Sequence, residues 1–159
     1  MKKISSFTVD HLKLLSGIYV SRVDNIKDVV LTTFDLRFTR PNFEPVMDTS
    51  AIHTIEHLGA TFLRNDMEFK DDIIYFGPMG CRSGFYLILN GKRESKDIVS
   101  LISRMIDYII DFYGDIPGAT AAECGNYTDM NLSMAKYYAA KFKNEVLDDL
   151  TDEKLVYPK

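Results

Sequence analysis

The sequence predicts an α+β fold, an antiparallel four-stranded sheet covered on one face by helices. Two observations carry this prediction. Segments rich in β-branched and aromatic residues come in two adjacent pairs, and apolar stripes at helical spacing follow each pair, in the order ββαββαα. The chain has 159 residues, which suits a single domain able to bury roughly 70% of its unfolded surface.

Ile18 to Val23 and Val29 to Phe38 read as the first strand pair, with Asp24-Asn25 as the turn between them. Thr39-Arg40-Pro41-Asn42 through Pro45 breaks the pattern and forms a loop. Asp48, Thr49 and Ser50 are good N-caps for a helix from about Ala51 to Asn65. Ile73 to Phe76 and Phe85 to Leu89 read as the second strand pair. Between them lies Gly77-Pro78-Met79-Gly80-Cys81-Arg82-Ser83-Gly84, a glycine-punctuated turn with a thiol at its centre. Glycines beside a reactive group permit close approach of a ligand to the backbone. Ser95 can cap a helix running to about Tyr113, with Ile98, Leu101, Ile102, Met105, Ile109 and Phe112 as its core face and Gly114 as its stop. A last helix spans about Asn131 to Leu150.

Composition excludes several functions. The net charge of -4 and the lack of any basic run argue against nucleic-acid binding. No segment approaches the roughly 20 apolar residues of a membrane span, and the N-terminus meets Asp10 too early for a signal peptide. A reducing, cytoplasmic setting is the expectation, so Cys81 and Cys124 read as thiols rather than a disulfide.

The chemistry concentrates in His53-Thr-Ile-Glu56-His57, which holds two of the three histidines. Residues i and i+4 share one face of a helix, so both imidazoles can reach one cation, with Glu56 beside them. The bland alternative is a pair of capping or core histidines. Catalytic metal sites usually take three protein ligands and leave a position open. Spacing leaves the third ligand open among Cys124, Cys81, His11 and scattered carboxylates.

His53-Thr-Ile-Glu56-His57, Pro78 to Tyr86 and Cys124-Gly125-Asn126-Tyr127 together resemble the S-ribosylhomocysteine lyase family, makers of the autoinducer-2 precursor. The resemblance extends to Ser6-Phe7, Asp10-His11, Asp35 to Phe38, Pro41-Asn42 and Ala135-Lys136. It implies His53, His57 and Cys124 as ligands of one divalent metal, Fe²⁺ in the native enzyme and replaceable by Zn²⁺ or Co²⁺. It implies Cys81 as the catalytic thiol and Glu56 as a second acid/base. Ser6, His11, Arg37 and Arg64 fall where family members contact substrate. The family's homodimers place two equivalent sites at the subunit interface, each completed by the partner's N-terminal segment. The implied reaction moves the carbonyl of S-ribosylhomocysteine from C1 to C3, then eliminates homocysteine. A thiolate at Cys81 needs positive surroundings, for which the metal and the neighbouring Arg82 are candidates. One departure stands out: Tyr75-Phe76-Gly77 replaces the family's usual Asp-Ile-Ser, so the ribose or homocysteine moiety is expected to be held differently.

Two other readings share the central motif. H-x-x-E-H also occurs in metallopeptidases, where the glutamate activates water. Those enzymes are expected to be larger and need no thiol in a glycine-rich turn. A non-catalytic module stabilised by its metal is the other.

Overall fold

The computed structural model describes residues 7–158, so Ser6 lies outside the described residues. Four strands form one antiparallel sheet in the order β1-β2-β4-β3. They are β1 (Gly17–Ile26), β2 (Val29–Arg37), β3 (Ile73–Pro78) and β4 (Gly84–Asn90). Helices α1 (Thr49–Leu63), α2 (Val99–Asp111) and α3 (Leu132–Phe142) pack together and onto this sheet. The α+β fold expected from the sequence is the fold observed.

Alternation along β2 sorts its residues between two faces. Phe34 and Leu36 pair with Leu87 and Phe85 of β4 and enter one core with Ile55 and Leu58 of α1 and Leu101, Ile102 and Met105 of α2. Burial of each such side chain contributes about 1.5–3 kcal/mol, which makes this layer the main support of α1. Asp35 and Arg37 point to the opposite face, where the register sets Asp35 against Tyr19 and Tyr86. That face is closed by the C-terminal segment: the Tyr157 ring stacks on Tyr19 with centroids 4.9 Å apart. Asp35 and Arg37 are consequently only 1% and 3% exposed.

Three local expectations are corrected. The first hairpin turns at Lys27-Asp28, not at Asp24-Asn25, because the ladder continues through Asp24–Leu31, Asn25–Val30 and Ile26–Val29. Lys27 accepts φ 55 to close it. The helix expected from Ser95 begins instead as a 3-10 turn, Ser95–Ile98, before α2 proper. Glu94 and Asp97 cap that turn reciprocally, and the Ser95 hydroxyl donates to the Leu155 carbonyl at 2.8 Å, tying the C-terminal segment down. The last helix stops being α-helical at Phe142 and ends in a π-turn, Lys143–Leu147, short of Leu150.

Candidate metal centre and active site

Helix α1 begins where the sequence placed its cap. The Asp48 carboxylate accepts from the Ala51 N–H at 2.9 Å. Burial works against that carboxylate's charge, but hydrogen bonds from Ser50 and the first-turn backbone outweigh it and lower its pKa. From this fixed start His53 and His57 fall one turn apart, their rings 4.7 Å apart and at 80° to each other. Thr54, on the adjacent buried face, accepts from the Asn131 N–H at 2.8 Å and so fixes the start of α3 against α1.

Backbone carbonyls orient both imidazoles. His53 Nδ1 lies 3.1 Å from the Asp129 carbonyl, and His57 Nδ1 lies 2.7 Å from the Pro117 carbonyl. A carbonyl only accepts, so each Nδ1 carries the proton and each Nε2 keeps its lone pair for a cation. Pro117 can approach so closely because Gly118 follows it. Gly118 has φ +72, and a Cβ there would sit 3.3 Å from His57 Nδ1. Cys124 Sγ lies 3.4 Å from His53 Nε2. The ligand atoms of His53, His57 and Cys124 all fall within 4.8 Å of one another. Two free imidazole nitrogens and one thiol suit Zn²⁺ or Fe²⁺, and three protein ligands leave a coordination position open. Cys81, His11 and the carboxylates, the other candidates for third ligand, lie outside this cluster among the described residues. The Glu56 side chain is half-buried, and among the described residues its carboxylate makes no hydrogen bond or ion pair.

Cys81 sits in the tight turn between β3 and β4. The Arg82 N–H donates to the Met79 carbonyl at 2.9 Å, and Arg82 takes φ 59. A left-handed conformation costs an arginine about 1–2 kcal/mol. The turn is held in place from outside: the Arg82 carbonyl accepts from the Met47 N–H, and the Ser83 carbonyl accepts from Phe38 and Thr39.

The positive group at the thiol is Arg37, not the adjacent Arg82, whose side chain is exposed. Arg37 Nη1 lies 3.7 Å from Cys81 Sγ and donates to Ser83 Oγ at 2.5 Å. Ser83 Oγ is itself 3.1 Å from the thiol sulfur. Partial burial raises the Cys81 pKa, but the hydrogen bonds of Ser83 and the charge of Arg37 outweigh it, and the thiol lies below its usual value. Burial likewise opposes the Arg37 charge, but Asp35 more than compensates through a 2.6 Å ion pair, so the guanidinium remains charged.

His11 is half-buried, its Nδ1 2.9 Å from the Val9 carbonyl. With Val9, Asp35, Arg37, Tyr86 and Tyr157 it lines a cavity of about 20 Å³, room for one water-sized group. The structure therefore brings together Cys81, Arg37 and His11 on one side, and His53, His57 and Cys124 on another. Among the described residues no hydrogen bond or ion pair joins the two groups. Arg64 belongs to neither. It caps the far end of α1, its guanidinium 3.5 and 3.3 Å from the carbonyls of Ile73 and Ile74. Tyr75 is exposed on β3, its ring folded over Gly77.

Ser83, Asp35 and Tyr157 were not singled out in the sequence as parts of the site. Asp35 and Arg37 alternate with Phe34 and Leu36, a pattern that normally marks a solvated strand face. Cover from Tyr157, 122 positions away, together with Val9 and His11 helps convert that face into a buried ion pair.

Two histidines one turn apart on a helix and a loop cysteine beside them, over an antiparallel sheet and with a separate thiol next to Arg37, define a candidate metalloenzyme. The particular family follows from comparison with known proteins. The family model S-Ribosylhomocysteinase (LuxS) matches residues 4–153, and the chain belongs to that family. It is 60% identical to the S-ribosylhomocysteine lyase of Clostridium beijerinckii over 158 residues, covering 99% of each chain. It is 59% identical to that of Finegoldia magna, again over 99% of each chain. It is 54% identical to the Borrelia garinii lyase, over 99% of this chain and 100% of the relative.

Proposed function

We propose that this chain cleaves S-ribosyl-L-homocysteine to L-homocysteine and 4,5-dihydroxy-2,3-pentanedione, the autoinducer-2 precursor. The observation that carries the reading is the pairing of two features in a chain of this family. One is a three-donor N/N/S cluster, and the other is a thiol whose anionic form Arg37 and Ser83 favour. His53, His57 and Cys124 would hold one divalent metal, Fe²⁺ in the cell, which when bound supplies a Lewis acid that acidifies protons beside a carbonyl.

Every step of the reaction moves a proton on or off carbon or oxygen. Cys81 as thiolate takes the proton from a sugar carbon, and the resulting thiol returns it to the neighbouring carbon as the carbonyl migrates. Glu56, whose carboxylate has no partner among the described residues, exchanges protons with the sugar oxygens and assists the final loss of homocysteine. Arg37 favours the anionic form of the thiol and, with His11, orients the sugar. Ser6 and Arg64 are assigned to substrate contact in an assembled site. Among the described residues Arg64 is hydrogen-bonded to the Ile73 and Ile74 carbonyls and not to the cluster, and the homodimer with sites at the interface is what the family resemblance implies. Phe7 and Leu12 flank His11 and are 69% and 63% exposed, an apolar surface that a second copy would cover. The cytoplasm supplies the reducing conditions both thiols require.

Homocysteine release from S-ribosylhomocysteine, followed with a thiol reagent, tests the reading. Cys81→Ala and Glu56→Ala should retain metal and lose on the order of 100-fold or more in turnover. Cys124→Ala should lose the metal. Full metal occupancy in Cys124→Ala would remove the ligand assignment. Peptide hydrolysis unaffected by Cys81→Ala would replace the lyase with a metallopeptidase.

A further inference from the structure

Tyr157 lies outside the 4–153 stretch matched by the family model, and the reaction as proposed makes no use of it. Its phenol is nonetheless built into the sheet. The hydroxyl donates to Asp35 Oδ2 at 2.8 Å, the same oxygen that accepts from Arg37 Nη2 at 2.6 Å. Arg37 in turn reaches Ser83 and Cys81 through Nη1. These side chains form one continuous line from the C-terminal segment to the thiol.

We propose that Tyr157 is a positioning residue for Cys81: its hydroxyl anchors Asp35, which fixes the Arg37 guanidinium against the thiol. The proposal rests on the reading of Cys81 as the proton-transfer group. Asp35 Oδ1 is buried and has no partner among the described residues, so the carboxylate depends on the two donors at Oδ2. Without the phenol, Asp35 draws on Arg37 alone and pulls the guanidinium away from Ser83 and Cys81. Burial first, then the Asp35 charge, push the Tyr157 pKa well up, so the phenol stays protonated and keeps donating. The other groups facing the thiol do not offset this. Tyr86 of β4 is held neutral by burial and by Asp35, Arg82 is exposed, and His11 lies across the small cavity beside Arg37.

Tyr157→Phe keeps the stack on Tyr19 and removes only the hydroxyl. The decisive measurement is the pH dependence of iodoacetamide alkylation at Cys81, in protein purified with its metal, with the Cys81 peptide resolved by mass spectrometry. Arg37 lies 3.7 Å from the sulfur. Drawing it back by about half an ångström raises the thiol midpoint by roughly half a pH unit, about threefold less thiolate on the acid limb. The acid limb of kcat should move up with it while KM holds. Tyr19→Phe is the control. It removes the hydroxyl bonds to the Leu15 and Glu153 carbonyls and should lower the melting temperature without moving the midpoint. A wild-type midpoint in Tyr157→Phe, or an equal shift in Tyr19→Phe, overturns the proposal. If Tyr157→Phe shifts the midpoint yet Cys81→Ala still releases homocysteine, the positioning stands and the catalytic reading of Cys81 fails.

Discussion

Gly118→Ala perturbs the metal centre without touching a ligand. The residue has φ +72, a conformation that costs an alanine about 1–2 kcal/mol. In a chain of this size each kcal/mol lowers the melting temperature by roughly 2–4 °C, so the backbone alone predicts a fall of about 2–8 °C. The new methyl adds a second effect. It would lie 3.3 Å from His57 Nδ1 and 3.4 Å from Cε1, so ring or loop must give by a few tenths of an ångström. Nδ1 is already bonded at 2.7 Å to the Pro117 carbonyl, one residue back in the same loop. The ring cannot retreat without stretching the bond that sets its tautomer. Loss of such a supporting contact typically lowers metal affinity about 10–100-fold, or about 1.4–2.7 kcal/mol. Gly114→Ala separates the two effects. Gly114 has φ +102 but no described residue within 4 Å of where a Cβ would stand, so it reports backbone cost alone. Competition with a chelating zinc indicator should show weakened binding in Gly118→Ala and ordinary binding in Gly114→Ala. Equal affinities in the two variants would refute the role given to the Pro117 carbonyl.

Three further perturbations test other parts of the structure. Homocysteine release should rise with pH through a midpoint below the usual thiol value of 9.0, since below it Cys81 is protonated and inactive. Ser83→Ala should raise that midpoint in a pH–rate profile, and an unmoved acid limb would exclude Ser83. Asp66 accepts from Arg104 and from the Glu68 and Phe69 N–H groups, and although burial opposes its charge these bonds lower its pKa. Its folded pKa is depressed, so its stabilisation is present above the usual carboxylate range and lost as pH falls through the folded value. Asp66→Asn should cost about 1–2 kcal/mol in urea melts at neutral pH, discounted for the partly exposed Arg104, and nothing in strong acid. Tyr75→Asp should lower KM for S-ribosylhomocysteine and leave metal content unchanged, and an unaltered KM would mean the pocket compensates elsewhere.

Local chemistry was legible in the sequence wherever one element carried it. The Asp48 cap, the helical spacing of His53 and His57 and the thiol in its glycine-rich turn all depend on neighbours within a few residues. What the spacing could not decide was long-range. Cys124 joins the histidines because contacts such as Thr54 with Asn131 and the two histidines with the Asp129 and Pro117 carbonyls hold the loop before α3 over α1. Arg82 looked like the partner of Cys81 through adjacency, but its left-handed backbone turns that position to solvent. Arg37, 44 residues away, arrives through the β2–β4 register instead. Asp24-Asn25 carried a valid turn signal, and it lost to the extra rungs of a longer ladder.

The segment between α2 and α3, residues 112–131, contains neither helix nor strand, and a stretch that long rarely stays ordered unaided. Its moorings to the His53 and His57 rings are the Pro117 carbonyl, Cys124 and the Asp129 carbonyl. An ion bound by both histidines and Cys124 would act as a staple, closing this segment onto α1 much as a crosslink would. Stripping it should expose residues 112–131 to protease before the sheet loosens. Metal starvation would then mark the protein for cleavage at this segment and not merely idle it.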